Sequence, residues 1–228
     1  LKGKLSEFMI FGSYPEVVTS ETRRKKVTRL EEIAESYLLK DVLALERVKN
    51  AKLLLDLLRL LAFQIGGEVS LNELGRQLGI DTKTVGRYLG IFEKAFILYN
   101  ARGFSRNLRK EITKKSKYYF YDNGIRNALI ANFNPPDIRN DMGALWENFI
   151  FMERLKKRVY QNIPANTYFW RTWDGQEIDL VEEREGRLHG YECKWQDKKV
   201  KPPRAWTEKY PEASFEVITK ETYLSFVC

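Results

Sequence analysis

Glu177-Ile178-Asp179-Leu180-Val181-Glu182-Glu183-Arg184-Glu185-Gly186-Arg187-Leu188-His189-Gly190-Tyr191-Glu192-Cys193-Lys194-Trp195 reads as two strands around a glycine turn. Strand side chains alternate between faces, so Asp179 and Glu177 share one side while Ile178 and Leu180 take the other. The same alternation puts Glu192 beside Lys194. Paired as a hairpin, the strands collect Asp179, Glu192 and Lys194 on one face and leave the opposite face apolar. Two carboxylates so placed can hold Mg²⁺ or Mn²⁺ through oxygen. Such an ion polarises a phosphodiester and lowers the pKa of a bound water, and Lys194 would orient that water or stabilise charge on the phosphorus oxygens. Glu147, on the preceding helix, would complete the cluster as a further ligand or as a partner of one. Alternating acids and bases also fit a solvated amphipathic hairpin.

Around this hairpin the sequence alternates helix and strand. Apolar spacing at Leu145, Phe149, Ile150 and Leu155 predicts a helix over residues 143–157, with further strands at 167–172 and 214–218. Trp170 suits a core position or a base-stacking one. Arg171 suits a phosphate or a nearby acid such as Glu177. Cys193 points away from Glu192 and Lys194 and reads as a small buried hydrophobe. Trp206 and Tyr210 would pack a terminal helix onto the sheet. Residues 132–141, containing Pro135-Pro136, mark a domain boundary.

Upstream of that boundary, Ser70-Leu71-Asn72-Glu73 is a capping box opening a helix with Leu71, Leu74 and Leu78 on one face. Gly79 stops it, Ile80 fills the angle, and Asp81 caps a second helix bearing Val85, Tyr88, Leu89 and Phe92. This is a helix-turn-helix, whose second helix presents its first residues to the DNA major groove. Thr82, Lys83, Thr84 and Arg87 hold those places. Lys83 and Arg87 would reach bases or phosphates, or simply solubilise the helix. β-prone runs at 95–99 and 117–121 flank a connection carrying Arg102, Arg106, Arg109, Lys110, Lys114 and Lys115, a wing suited to backbone phosphates. An amphipathic helix or broken pair is expected over 21–48 and helices over 51–65 and 124–131, and residues 5–18 read as a linker broken by Gly12 and Pro15.

The 228 residues suit two compact units, and 43% hydrophobic with 31% charged residues is a folded soluble composition. The longest apolar stretch, around 53–63, is interrupted by Asp56 and Arg59 and is too short to span a bilayer. The start, Leu1-Lys2-Gly3-Lys4, has neither an apolar h-region nor an initiator methionine, so a fragment of a longer protein is expected. Two cysteines and one histidine exclude a disulfide framework and thiolate zinc, fit a cytoplasmic setting, and leave carboxylates, lysines and a hard cation for any chemistry. A formal charge of +8 favours a polyanionic partner or a generally basic surface.

Asp179 followed by Glu192-x-Lys194, after a helix with Glu147, resembles the PD-(D/E)xK nuclease superfamily, with Ile178 where proline is common. The whole chain resembles the C-terminal region of prokaryotic AAA-type P-loop ATPases. That likeness runs through Gly12-Ser13-Tyr14-Pro15-Glu16, the helix-turn-helix at 74–89, Lys117-Tyr118-Tyr119-Phe120-Tyr121-Asp122-Asn123-Gly124-Ile125-Arg126, Gly143-Ala144-Leu145-Trp146-Glu147-Asn148, Tyr168-Phe169-Trp170-Arg171, Glu177-x-Asp179 and Glu192-x-Lys194. Ser13 stands where the pattern has a second glycine.

The resemblance implies an α+β protein: an all-α winged helix-turn-helix domain followed by an α/β restriction-endonuclease-like domain. The expected division is a linker at 1–20, the helical and winged domain at 21–134 and the nuclease-like domain at 140–228. It also implies an N-terminal ATPase domain in cis, so ATP belongs to the full-length protein; no Gly-x-x-x-x-Gly-Lys-Ser/Thr occurs here. The expected function is DNA binding, DNA favoured over RNA, with Mg²⁺- or Mn²⁺-dependent phosphodiester cleavage. In that reading Asp179 and Glu192 are metal ligands, Lys194 and Glu147 catalytic, and Glu177 and Arg171 supporting. The alternative is a catalytically silent binding or assembly module. Oligomeric state is open.

Overall fold

A computed structural model of the chain describes residues 2–37, 50–105 and 116–228. It forms two units, one of Leu1–Asn100 with Tyr118–Asp141, the other of Ala101–Lys117 with Met142–Cys228. The break after Asp141 falls at the end of the expected boundary. Assignment of 101–117 to the second unit departs from the expected division, because the chain leaves the first unit in mid-strand and returns.

The first unit begins with α1 (Leu5–Phe11), α2 (Pro15–Val18) and α3 (Arg23–Glu32), which runs into a π turn at Ile33–Tyr37. Residues 5–18 are therefore not a linker. Met9, Ile10, Phe11 and Val17 are buried, so Gly12 and Pro15 separate two packed helices. The expected helix over 21–48 is seen only up to residue 37, its remainder lying outside the described residues.

Helix α4 (Ala51–Phe63) starts at Asn50, whose side chain accepts the Leu53 N–H. It buries Leu54, Leu57, Leu58 and Leu61, the i, i+3, i+4, i+7 stripe of an amphipathic helix. After β1 (Glu68–Val69), α5 (Leu71–Leu78) opens on Ser70, whose hydroxyl accepts the Glu73 N–H at 3.4 Å. Gly79 ends it in the left-handed conformation (φ 68°), which costs a residue without Cβ little. Asp81 then caps α6 (Thr82–Lys94), accepting from the Thr84 N–H at 2.9 Å and the Thr84 hydroxyl at 2.7 Å. Ile80 is half-buried, filling the angle only partly.

The expected strand at 95–99 begins later, because α6 continues to Lys94 and Phe96 takes a positive φ of 54°. The strands are β2 (Leu98–Gly103) and β3 (Ser116–Phe120), followed by α7 (Asn123–Leu129), and the order here is β1-β3-β2. Helix α7 is fixed to α1 by the Asn127 side-chain amide, which donates to the Met9 and Ile10 carbonyls at 3.2 and 2.9 Å.

The second unit contains α8 (Met142–Tyr160), β4 (Asn166–Arg171), β5 (Glu177–Arg184), β6 (Arg187–Cys193), α9 (Arg204–Lys209), β7 (Ser214–Ile218) and α10 (Tyr223–Val227). Its strand order is β2-β4-β5-β6-β7, where β2 contributes Arg102 and Gly103, parallel to β4. The β4–β5 and β5–β6 pairs are antiparallel, and β6–β7 is parallel. Trp206 and Tyr210 pack with Phe104, Trp170, Ile178, Val181 and Leu188, so Trp170 is a core residue. Helix α8 is tied to the sheet by the Trp146 indole N–H donating to the Ile218 carbonyl (3.1 Å), and by the Arg154 guanidinium gripping both Glu182 oxygens at 2.9 Å. This mixed α and β architecture agrees with the expected class.

Candidate functional site

Strand β5 loses its alternation where its acids lie. Ile178 and Val181 share one core cluster although they are three residues apart. Against β4, Val181 opposes Tyr168 and Ile178 opposes Trp170, so β5 uses three residues where β4 uses two. An extra residue of this kind is a β-bulge, which bends the strand and re-aims side chains. The expectation that Leu180 shares the face of Ile178 fails for this reason: Leu180 opposes Tyr191, whose ring packs on Phe226 of α10 at 4.6 Å. Pairing with β6 runs from Arg184 opposite Arg187 to Leu180 opposite Tyr191. Just beyond it, Oδ2 of Asp179 accepts the Cys193 N–H at 2.8 Å. The aspartate is thus held at the fork of the two strands by the neighbouring backbone.

The fork is lined by ion pairs. Lys117 of β3, only 2% exposed, sends its ammonium to Glu147 Oε1 of α8 at 3.1 Å and to Glu177 Oε1 of β5. Burial works against its charge, but the carboxylates of Glu147, Glu177 and Asp179 outweigh that and raise its pKa. Lys194 donates to Glu192 Oε1 at 2.6 Å, and its pKa is also raised, burial being outweighed by Glu192 and Asp179. Arg171 stands 3.5 Å from Glu177 Oε2. Asp179 itself is pushed up to about 6, first by burial and then by the Glu192 charge, with Lys117, the Cys193 N–H and Lys194 opposing. Cys193 is buried, as expected, and burial raises its thiol pKa.

The structure therefore brings Asp179, Glu192 and Lys194 into one electrostatic cluster, with Glu147 and Glu177 joined to it through Lys117. Arg171 pairs with Glu177, one of the two partners open to it. Sequence reasoning missed Lys117, placing it in a wing strand. The signal was a lysine beside the aromatic run 118–121: a cation in a strand otherwise buried demands an acidic partner.

A divalent cation of this kind needs carboxylate oxygens turned toward one point. Here Glu147 and Glu177 turn toward the Lys117 ammonium, Glu192 toward Lys194, and Asp179 toward a backbone N–H. Among the described residues no three of His, Cys, Asp and Glu are grouped to hold a metal.

In the first unit, Thr82, Lys83 and Arg87 are exposed at the head of α6, and Arg87 lies over the Tyr88 ring at 5.2 Å. Thr84 is engaged with Asp81, whose carboxyl pKa is lowered by the Thr84 hydroxyl and N–H. Arg102, which belongs to the second unit, is exposed and opposes Tyr168 of β4. Arg106, Arg109, Lys110, Lys114 and Lys115 lie outside the described residues.

Fold and fork define a two-unit α and β protein whose second unit carries an ion-paired acidic strand fork. The chain belongs to the family described as domain of unknown function DUF8612, whose model matches residues 2–136, and a second model, domain of unknown function DUF4143, matches residues 142–225. The uncharacterized protein Rv2008c of Mycobacterium tuberculosis is 30% identical over 124 residues, covering 54% of this chain and 27% of that protein. An uncharacterized protein of Haemophilus influenzae is 27% identical over 181 residues, 77% of this chain and 42% of that protein. The uncharacterized protein MJ1544 of Methanocaldococcus jannaschii is 22% identical over 182 residues, 78% and 38% respectively. The chain thus spans from 27% to 42% of the length of these relatives. No solved structure matches it. Among the described residues no helix is long and apolar enough to cross a membrane.

Proposed function

We propose that this chain is the DNA-binding region of a longer prokaryotic AAA-type ATPase, a winged helix-turn-helix joined to a PD-(D/E)xK-like domain that binds without cutting. The observation that carries it is the pairing of the fork. Glu147 and Glu177 are taken up by Lys117 and Glu192 by Lys194, and Asp179 accepts a backbone N–H, whereas the cations Lys83 and Arg87 at the head of α6 are exposed. A nuclease of this class needs those carboxylates for metal. A binding module needs only the basic surface and a stable sheet.

DNA is favoured over RNA because a helix fits the B-form major groove, while the A-form groove is too deep and narrow for side chains to read. The motif series from residue 12 to residue 194 supports the ATPase parent. So does the greater length of the relatives.

The test is anisotropy with labelled duplex DNA beside a cleavage assay in Mg²⁺ and Mn²⁺. The expected result is salt-sensitive binding that weakens in Lys83→Ala and Arg87→Ala, with no cleavage in either metal. Metal-dependent cleavage that disappears in Asp179→Ala would contradict the silent-domain reading. Absence of duplex binding at low salt would contradict the binding one.

A further inference from the structure

The β4–β5 turn holds an indole in water. Trp173 is fully exposed, whereas Trp146, Trp170 and Trp206 are buried. The turn beneath it is ordered: the Thr172 N–H donates to the Gln176 carbonyl at 2.9 Å, the Gln176 N–H to the Thr172 hydroxyl at 3.0 Å, and the Gln176 amide to Asp174 at 2.8 Å. Gln176 Oε1 also accepts the Ala205 N–H at 3.0 Å, which ties the turn to α9. A large apolar side chain on a braced scaffold is displayed, not left over.

The Gln176–Ala205 bond brings the end of a basic segment to this turn. Strand β5 begins and strand β6 ends at this edge of the sheet, because the two are antiparallel. From β6 the chain runs as Lys194-Trp195-Gln196-Asp197-Lys198-Lys199-Val200-Lys201-Pro202-Pro203-Arg204 into α9, with Asp197 the one acid among five cations. Lys198, Lys199 and Lys201 are exposed, and Arg204 is exposed but paired with Glu208. Arg171, immediately before the turn, is 41% exposed in its side chain. The exposed Val159 and Tyr160 lie before the start of β4, at its opposite end, so they do not extend an apolar patch around Trp173.

An aromatic face beside a run of cations matches a single-stranded nucleic acid, whose unpaired bases stack while its phosphates follow the positive charge. Continuous duplex and protein partners fit less well: the first hides its base faces in the stack, and the second need a wider apolar patch. We propose that Trp173 is a stacking platform for an unpaired base, with the phosphates along the exposed Lys198, Lys199 and Lys201. This rests on the reading of the chain as a nucleic-acid binder and adds the strandedness of what its second unit takes.

Tryptophan fluorescence with a short oligothymidylate tests it, since three of the five tryptophans are buried. The expected result is quenching on binding. Trp173→Ala should abolish most of that quenching and weaken single-strand affinity by roughly tenfold, with unchanged circular dichroism and duplex affinity, while Trp173→Phe keeps most of the affinity. Single-strand affinity equal in wild type and Trp173→Ala overturns the platform. So does duplex binding with no single-strand binding, and in both cases the nucleic-acid reading survives. Failure of the wild type to bind either form overturns both.

Discussion

Lys117 brings an ammonium to a site where water is excluded, a transfer that costs several kcal/mol, and offsets it with Glu147, Glu177 and Asp179. Lys117→Met leaves those acids without their cation and should lower the free energy of unfolding by about 3–5 kcal/mol, measured by urea denaturation. Adding Glu147→Gln and Glu177→Gln should recover much of the loss. The two shifted groups act at opposite ends of the pH scale. Asp179, raised to about 6, holds its proton in the folded state where the unfolded chain has lost it. Its contribution therefore falls as pH rises from about 4 to about 6, and wild type minus Asp179→Asn stability should decline across that window. A flat difference would remove the burial argument. Lys117, raised from its ordinary value, stabilises fully below about pH 10 and loses that contribution above it. Gly124 is decided by space: a Cβ there would run into the Phe11 carbonyl and stand 2.8 Å from Leu30 Cδ2. Gly124→Ala should cost about 1–3 kcal/mol or more, and an unchanged urea midpoint would refute the tight α1–α7 approach.

At the scale of elements, the join between α8 and β5 is the Arg154–Glu182 pair, with Glu182 completely buried and Arg158 and Arg184 also near its carboxylate. Arg154→Met should destabilise by about 3–5 kcal/mol. The elements themselves were largely legible. The strands expected at 167–172 and 214–218 and the two of the hairpin over 177–195 form at Asn166–Arg171, Ser214–Ile218, Glu177–Arg184 and Arg187–Cys193, since alternation and a glycine turn are local signals. The helical nature of residues 5–18 was hidden because a few apolar residues between breakers look alike whether packed or free. The bulge at residues 179–180 was hidden too, since it depends on what β4 and β6 offer opposite. So was the partner of Glu147, which comes from a strand thirty residues away.

For the molecule as a whole, the charge of +8 becomes a binding statement only through where the cations stand. If Lys83 and Arg87 contact phosphates, replacing either with alanine should reduce the slope of log affinity against log salt by about 1. If one reads a base, its loss should instead cost sequence preference by about 1–3 kcal/mol. The proposal of a binding module rests on Lys117 holding Glu147 and Glu177 beside Asp179, one of the two residues expected to hold a metal. Calorimetric titration with Mn²⁺ of wild type, Lys117→Met and Lys117→Met with Asp179→Ala tests it most directly. The account predicts no Asp179-dependent binding in the wild type, and binding that appears in Lys117→Met and vanishes in the double variant. Mn²⁺ binding by the wild type that is lost on Asp179→Ala would contradict it.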